Sequence, residues 1–169
     1  MIRAALLSLA MLAIGSTAAA QTSETCRAPE RRALDFWVGR WDVRDEKTGA
    51  AVGENRIAPI WGGCGVLETF ASVDGFHGGS VSQWDPEKKL WRLTGGGSTG
   101  AAMVFEGGFE GERLVLTSEI KGADGKPRRL RMILEPSEDG VVRQSSDVSS
   151  DGGQTWRPRY AYVYRRFAS

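Results

Sequence analysis

Histidine is nearly absent from this chain: one residue, His77, stands among 169. Cysteine is almost as scarce, with only Cys26 and Cys64. A protein zinc site takes three or four ligands drawn mostly from these two residue types, so no metal site is expected. A Ser-His-Asp triad is excluded on similar grounds, because His77 has no serine or aspartate in a recognisable frame. The glycine-rich stretch Gly95-Gly96-Gly97-Ser98-Thr99-Gly100 contains no lysine and precedes no helical pattern, which excludes a phosphate loop. Charge of one sign is not in excess either: 22 basic residues face 21 acidic ones. Nucleic-acid binding, which needs a basic surface, is therefore not expected, and neither is electrostatic adhesion to anionic lipid.

The one long apolar run lies at the N-terminus. Arg3 precedes Ala4 to Ile14, which only Ser8 interrupts, and Ala18-Ala19-Ala20 follows before polar residues begin at Gln21. This run is too short to span a bilayer and has the three parts of a secretory signal peptide, with cleavage expected after Ala20. Taking 20 of the 169 residues and one of the 22 bases leaves 149 residues and 21 bases against 21 acids. That length suits one domain, residues 21–169, in the periplasm or outside the cell. Ser23-Glu24-Thr25 before Cys26 is not a lipobox, so no membrane anchor is expected. In an oxidising compartment Cys26 and Cys64 pair most simply as a disulfide, closing a loop of roughly 39 residues worth about 4 kcal/mol by chain entropy. The competing reading, a reactive Cys64, lacks a nearby base to lower the thiol pKa.

Helix is scarce as well. Pro29 suits a first helical turn, and Glu30 to Phe36 supplies about two turns before Gly39 ends them. From Arg40 the periodicity changes to two. Strand-like runs follow near 51–60, 64–72, 78–84, 88–94, 101–107, 112–120, 127–135, 140–148 and 155–166. Turn signals separate them at Thr48-Gly49, Asp74-Gly75, Asp85-Pro86, Gly107-Gly108, Gly111, Asp124-Gly125, Asp139-Gly140 and Asp151-Gly152-Gly153. Gly95 to Ala102 reads as a loop at a barrel mouth. The fold class is all-β, an antiparallel up-and-down barrel of about 8–10 strands with a short N-terminal helix; glycines within strands favour a closing barrel over a sandwich.

Leu34-Asp35-Phe36-Trp37-Val38-Gly39-Arg40-Trp41-Asp42-Val43 carries a resemblance. The Gly39-Arg40-Trp41 step after a short helix resembles the Gly-x-Trp signature of the lipocalins and related calycins. Together with Gly63-Cys64-Gly65-Val66-Leu67-Glu68, Gly79-Ser80, Trp84-Asp85-Pro86, Lys89-Leu90-Trp91 and Ser150 to Trp156, the chain looks like a family of bacterial lipocalin-like proteins known only as a domain of unknown function. The resemblance spans nearly all of residues 21–169 and implies a calycin-type barrel without implying an activity. It also implies that Gly39 turns the chain, that Trp41 plugs the closed end, and that an arginine of the last strand, Arg165 or its neighbour Arg166, packs across it. Haem barrels of similar topology take their iron ligand from a histidine late in the chain. His77 is mid-chain in a glycine-flanked loop, so no cofactor is expected.

Ser149-x-Asp151-x-Gly153-x-Thr155-Trp156 matches the Asp-box of sialidase propellers. Propellers need several copies and this chain has one, so Asp151 and Trp156 are read as a stabilised hairpin turn. Glu68 shares a strand face with Val66 and Phe70. A carboxylate on an apolar face aims into a cavity or stands on an outer wall, and inside it needs a partner, with Asn55, Arg56, Arg92 and Arg131 as candidates. Arg131 lies opposite Leu130, Met132 and Leu134 in alternation, which turns it outward if those point in. Phe70, Trp84, Trp91, Met103 and Phe105 could line a pocket with Asn55 and Glu68, or simply fill a small barrel. Tyr160, Tyr162 and Tyr164 alternate on one face and suit either a pocket wall or an outward ladder. Three functions fit: an exported barrel binding a small, partly apolar ligand; an isomerase- or hydrolase-type enzyme using Glu68; or a structural or partner-binding module with a filled barrel. Nothing in the sequence specifies an oligomer.

Overall fold

The computed structural model describes residues 24–137 and 139–167. The expected signal segment, residues 1–20, lies outside the described residues. Ten strands follow one another as β1 Gly39–Asp45, β2 Ala51–Ile60, β3 Gly65–Ser72, β4 His77–Asp85, β5 Leu90–Gly97, β6 Ala102–Glu110, β7 Arg113–Lys121, β8 Pro127–Pro136, β9 Val142–Ser149 and β10 Arg157–Arg166. Each pairs antiparallel with its neighbours in sequence, and β1 pairs with β10, so the sheet closes on itself. Closure removes both sheet edges, which would otherwise invite pairing with another chain.

The expected strands match these within a few residues, and the turns fall at Gly, Asp and Pro as their backbone chemistry requires. Three local expectations change. Gly107-Gly108 is not a turn but lies inside β6, where Gly107 faces the Val115 carbonyl so closely that a Cβ would collide with it. Gly95–Gly97 belongs to β5, leaving only residues 98–101 as the connection. The N-terminal helix is broken: α1 covers Pro29–Arg32, and a separate 3-10 turn covers Asp35–Trp37.

The strand directions give the barrel two unlike ends. At the end where β1 begins and β10 finishes, the 3-10 turn carries buried Trp37 over the opening and Trp41 rises beneath it, with Leu34 sealing the side. Trp41 Nε1 donates to the Trp37 carbonyl at 2.8 Å. Arg166 crosses the Trp41 ring with its guanidinium carbon 4.4 Å from the centroid, and its Nη2 donates to the Val38 carbonyl at 3.1 Å. Arg166 therefore occupies the position proposed for Arg165. The register explains it: Trp41 lies opposite Arg166, whereas Arg165 lies opposite Asp42 on the outer face. Gly39 is at φ +153°, and a side chain there would strike the Arg166 guanidinium.

A disulfide joins Cys26 to Cys64, 38 positions apart, and ties the first 3-10 turn, Glu24–Arg27, to the β2–β3 connection at this closed end. The outer wall bears ion pairs such as Lys88 with Glu106 at 3.2 Å, and Arg131 with Asp147 at 2.7 Å. Charges on the outside are the reverse of the apolar outer band of a membrane barrel. No helix among the described residues is long and apolar enough to cross a membrane.

The Asp-box forms the β9–β10 hairpin at the opposite end. Asp151 accepts from the backbone N–H groups of Gln154 at 3.0 Å and Thr155 at 2.9 Å, and from Ser149 Oγ at 2.6 Å. These hydrogen bonds, Ser149 first, hold its carboxyl far below the usual carboxylate range. Trp156 packs beneath the Arg131 guanidinium at 4.4 Å. Asp151→Ala should lower the melting temperature while leaving ligand affinity unchanged; a loss of affinity in a folded variant would contradict this structural role.

Candidate ligand cavity

The barrel is filled in its closed half and hollow in its open half. Trp84 and Trp91 stand directly opposite each other on β4 and β5 near the closed end and meet edge to face at 6.3 Å. Trp91 and Phe105 are buried in the core with Leu114, Leu116 and Leu134. Trp91 and Phe105 thus fill the barrel with the half-buried Trp84 packed against them, and none of the three lines the cavity above. Above them a cavity of about 490 Å³ opens toward the β3–β4 turn. That size lies within the range of small-molecule sites.

The wall of this cavity is chiefly aromatic and apolar. Phe70 and Met103 line it, joined by Phe76, Leu93 and Met132. All three tyrosines of β10 face it; Tyr160 and Tyr162 stack with centroids 4.5 Å apart and planes inclined by 16°. The outward-ladder reading of these tyrosines is thereby replaced. Glycines make the room. In the β4–β5 pair Gly78 faces Gly97 and Gly79 faces Gly96, and the Phe76 ring folds over Gly78 and Gly97. A Cβ on Gly78 would sit 2.7 Å from that ring.

Glu68 stands at the floor. Its carboxyl lies deep in the barrel but keeps one side on the cavity. Asn55 Nδ2 donates to Oε1 at 2.7 Å, and Ser80 Oγ donates to Oε2 at 2.7 Å. Of the four sequence candidates only Asn55 meets it; Arg56 and Arg92 are exposed, and Arg131 is on the outer wall with Asp147. Ser80 was not singled out, because its partnership follows from the β3–β4 register, which sets Glu68 opposite Ser80. Burial pushes the Glu68 carboxyl above its ordinary value, and the hydrogen bonds from Ser80 and Asn55 pull it partly back.

Around this floor, Tyr164 donates its hydroxyl proton to Gln144 Oε1, and Gln144 Nε2 meets Met132 Sδ at 2.9 Å. Burial drives the Tyr164 hydroxyl well above the usual phenol range, with the charge of Glu68 adding to it. Burial likewise pushes Tyr160 up to about 12. Neither phenol ionises near neutrality. His77 lies exposed at the start of β4, and no cluster of three His, Cys, Asp or Glu able to hold a metal occurs among the described residues.

The raised carboxyl has a consequence for stability. Below about 4.5, the ordinary value, Glu68 is protonated whether the chain is folded or not. Above it the unfolded chain gives up the proton first, so stability falls as pH rises until the higher folded value is passed, and stays reduced beyond. Glu68→Gln removes this penalty. The variant should melt higher than the parent at neutral pH, by roughly 2–4 °C per kcal/mol recovered, and the gap should close in acid. Melting curves against pH read this directly; a variant less stable than the parent at neutral pH would contradict it.

Compared with known proteins, the chain matches no family model and no curated sequence.

Proposed function

We propose that the protein is an exported, lipocalin-like barrel of the calycin kind that binds a small, partly apolar ligand in its open half. The observation that carries this reading is the cavity itself: an aromatic wall from β3, the β3–β4 turn and β10 above the hydrogen-bonded Glu68 carboxyl. Ligand sites have this composition, mostly apolar with a few polar groups that orient the guest. The disulfide and the signal-like N-terminus support export as one domain.

An enzymatic reading rests on one observation, the raised carboxyl facing the cavity, since a general acid or base is tuned in this way. Both Glu68 oxygens already accept hydrogen bonds, and no second carboxylate stands with it at the floor, so binding is the stronger reading.

The test is calorimetric titration with 3-phenylpropan-1-ol, a neutral guest with one polar end. Saturable binding to the native protein is expected. Leu93→Trp, which fills the cavity from its wall, should weaken it at least about tenfold, or 1.4 kcal/mol. Equal binding in a folded Leu93→Trp variant would place the guest elsewhere and overturn the reading.

A further inference from the structure

We propose that the cavity selects a small organic cation, an aryl or alkyl amine whose ammonium group is seated on Glu68 beneath the tyrosines. This rests on the binding function proposed above and assigns its ligand class.

The argument is a balance of donors, acceptors and charge. At the floor each side-chain donor group is already engaged: Asn55 Nδ2 and the Ser80 hydroxyl on Glu68, the Tyr164 hydroxyl on Gln144, and Gln144 Nε2 on Met132, with one further N–H left on each of the two amides. Acceptors are in surplus. Each Glu68 oxygen has received one hydrogen bond and has capacity for another. Asn55 Oδ1 has no partner among the described residues, although Asn55 is buried and lies outside the cavity lining. A guest that only accepts hydrogen bonds leaves this capacity of the Glu68 carboxyl unused, whereas an ammonium brings three donors and no acceptor.

Charge points the same way. Glu68 and Asp74 are the carboxyl groups lining the cavity; no Lys or Arg among the described residues lines it. Asp74, at the mouth, is held ionised by the hydrogen bond from Ser72 and the backbone N–H of Phe76. What acts on Glu68 is burial and two neutral donors, with no cation beside it. An enclosed carboxylate without a counter-charge is costly, and a cation supplied by the guest offsets that cost. The wall suits such a guest, because the faces of Tyr and Phe rings attract cations. Arg159 is exposed at the open end, 6.0 Å from the Tyr160 ring centroid and 3.5 Å from Ser146 Oγ, outside the cavity lining. It offers the one competing anchor, for an acid held at the mouth.

The experiment compares three guests of one carbon skeleton by calorimetric titration at neutral pH: 3-phenylpropan-1-amine, 3-phenylpropan-1-ol and 3-phenylpropanoic acid. The amine should bind at least about tenfold tighter than the alcohol, a difference of 1.4 kcal/mol, with the acid weakest. Glu68→Gln keeps the side-chain shape and removes the charge; it should abolish the preference for amine over alcohol while the alcohol still binds. Asp74→Asn, which leaves the floor intact, should preserve most of the preference. Equal affinities for amine and alcohol, or a preference surviving in Glu68→Gln, would overturn the proposal and leave the binding function standing. Tightest binding by the acid, lost in Arg159→Ala, would also overturn it and move the anchor to the mouth. Failure of all three guests would sink both the ligand class and the binding function.

Discussion

Trp41→Ala is expected to destabilise the barrel by about 3–5 kcal/mol, a large share of the total stability of an ordinary domain. Trp41 is wholly buried at the closed end. Its removal leaves a void under Trp37, takes the edge-to-face neighbour from Tyr164 at 6.3 Å, and strips the Arg166 guanidinium of the ring it covers. It also leaves the Trp37 carbonyl without its donor. An unsatisfied buried carbonyl adds about 1–3 kcal/mol to the loss of packing. Trp41→Phe separates the two effects, since it keeps most of the ring and loses the N–H. Urea unfolding should rank the parent above Trp41→Phe and Trp41→Phe above Trp41→Ala. Ligand affinity in Trp41→Phe should change little, because Trp41 is not part of the cavity lining. A Trp41→Ala variant as stable as the parent would show that the closed end is not built as described.

The second large effect belongs to the disulfide. Replacing Cys26 and Cys64 together with serine should cost about 2–5 kcal/mol. The bond closes a loop with a sequence separation of 38, and it fixes the start of the chain to the β2–β3 connection. That start leads directly into Leu34 and Trp37, the residues that cover the barrel base, and both are fully buried. Without the tether the unfolded chain gains freedom and the cover loses its anchor. Changing both cysteines avoids leaving a lone thiol. Thermal unfolding of the double variant, and of the parent with and without reductant, should show the same drop. No drop in either would mean that the covering segment is held by packing alone.

These two effects concern the part of the molecule most legible in the sequence. Leu34 to Val43 announced a turn and a first strand through a short-range pattern of Gly and alternating residues, and a plug through the resemblance of Gly39-Arg40-Trp41 to the Gly-x-Trp signature. The ten strands were readable for the same reason, since period-two alternation and turn residues are local signals. What could not be read was pairing at a distance. The choice between Arg165 and Arg166 depends on which face Tyr160, Tyr162 and Tyr164 present; once they point inward, parity brings Arg166 in with them. Ser80 reaches Glu68 through a register set by the β3–β4 turn, and no residue near Ser80 reveals it. Trp84, Trp91 and Phe105 looked as suited to a pocket as Phe70 and Met103. They differ only in height along the barrel axis, which decides whether a side chain falls in the filled half or the hollow half. Gly107-Gly108 shows local turn chemistry yielding to strand pairing: Gly107 sits where β6 and β7 approach too closely for a side chain.

The same division separates stability from function. The closed end concentrates tryptophan, the disulfide and the arginine strap, and contributes packing. The open end concentrates tyrosine, glycine and a buried carboxyl, and tolerates a carboxyl that burial disfavours. Buried ionisable groups that weaken a fold are characteristic of sites that act on something else.

The central claim is that Glu68 forms the floor of a ligand cavity. Carbon-detected NMR of the Glu68 side-chain carboxyl tests it most directly, followed through a pH titration and then through addition of 3-phenylpropan-1-amine. The expected result is a midpoint above 4.5 in the empty protein, and a ligand-dependent shift of the Glu68 signal toward the ionised form that saturates with binding. A carboxyl that titrates at its ordinary value and does not respond to bound amine would contradict the claim.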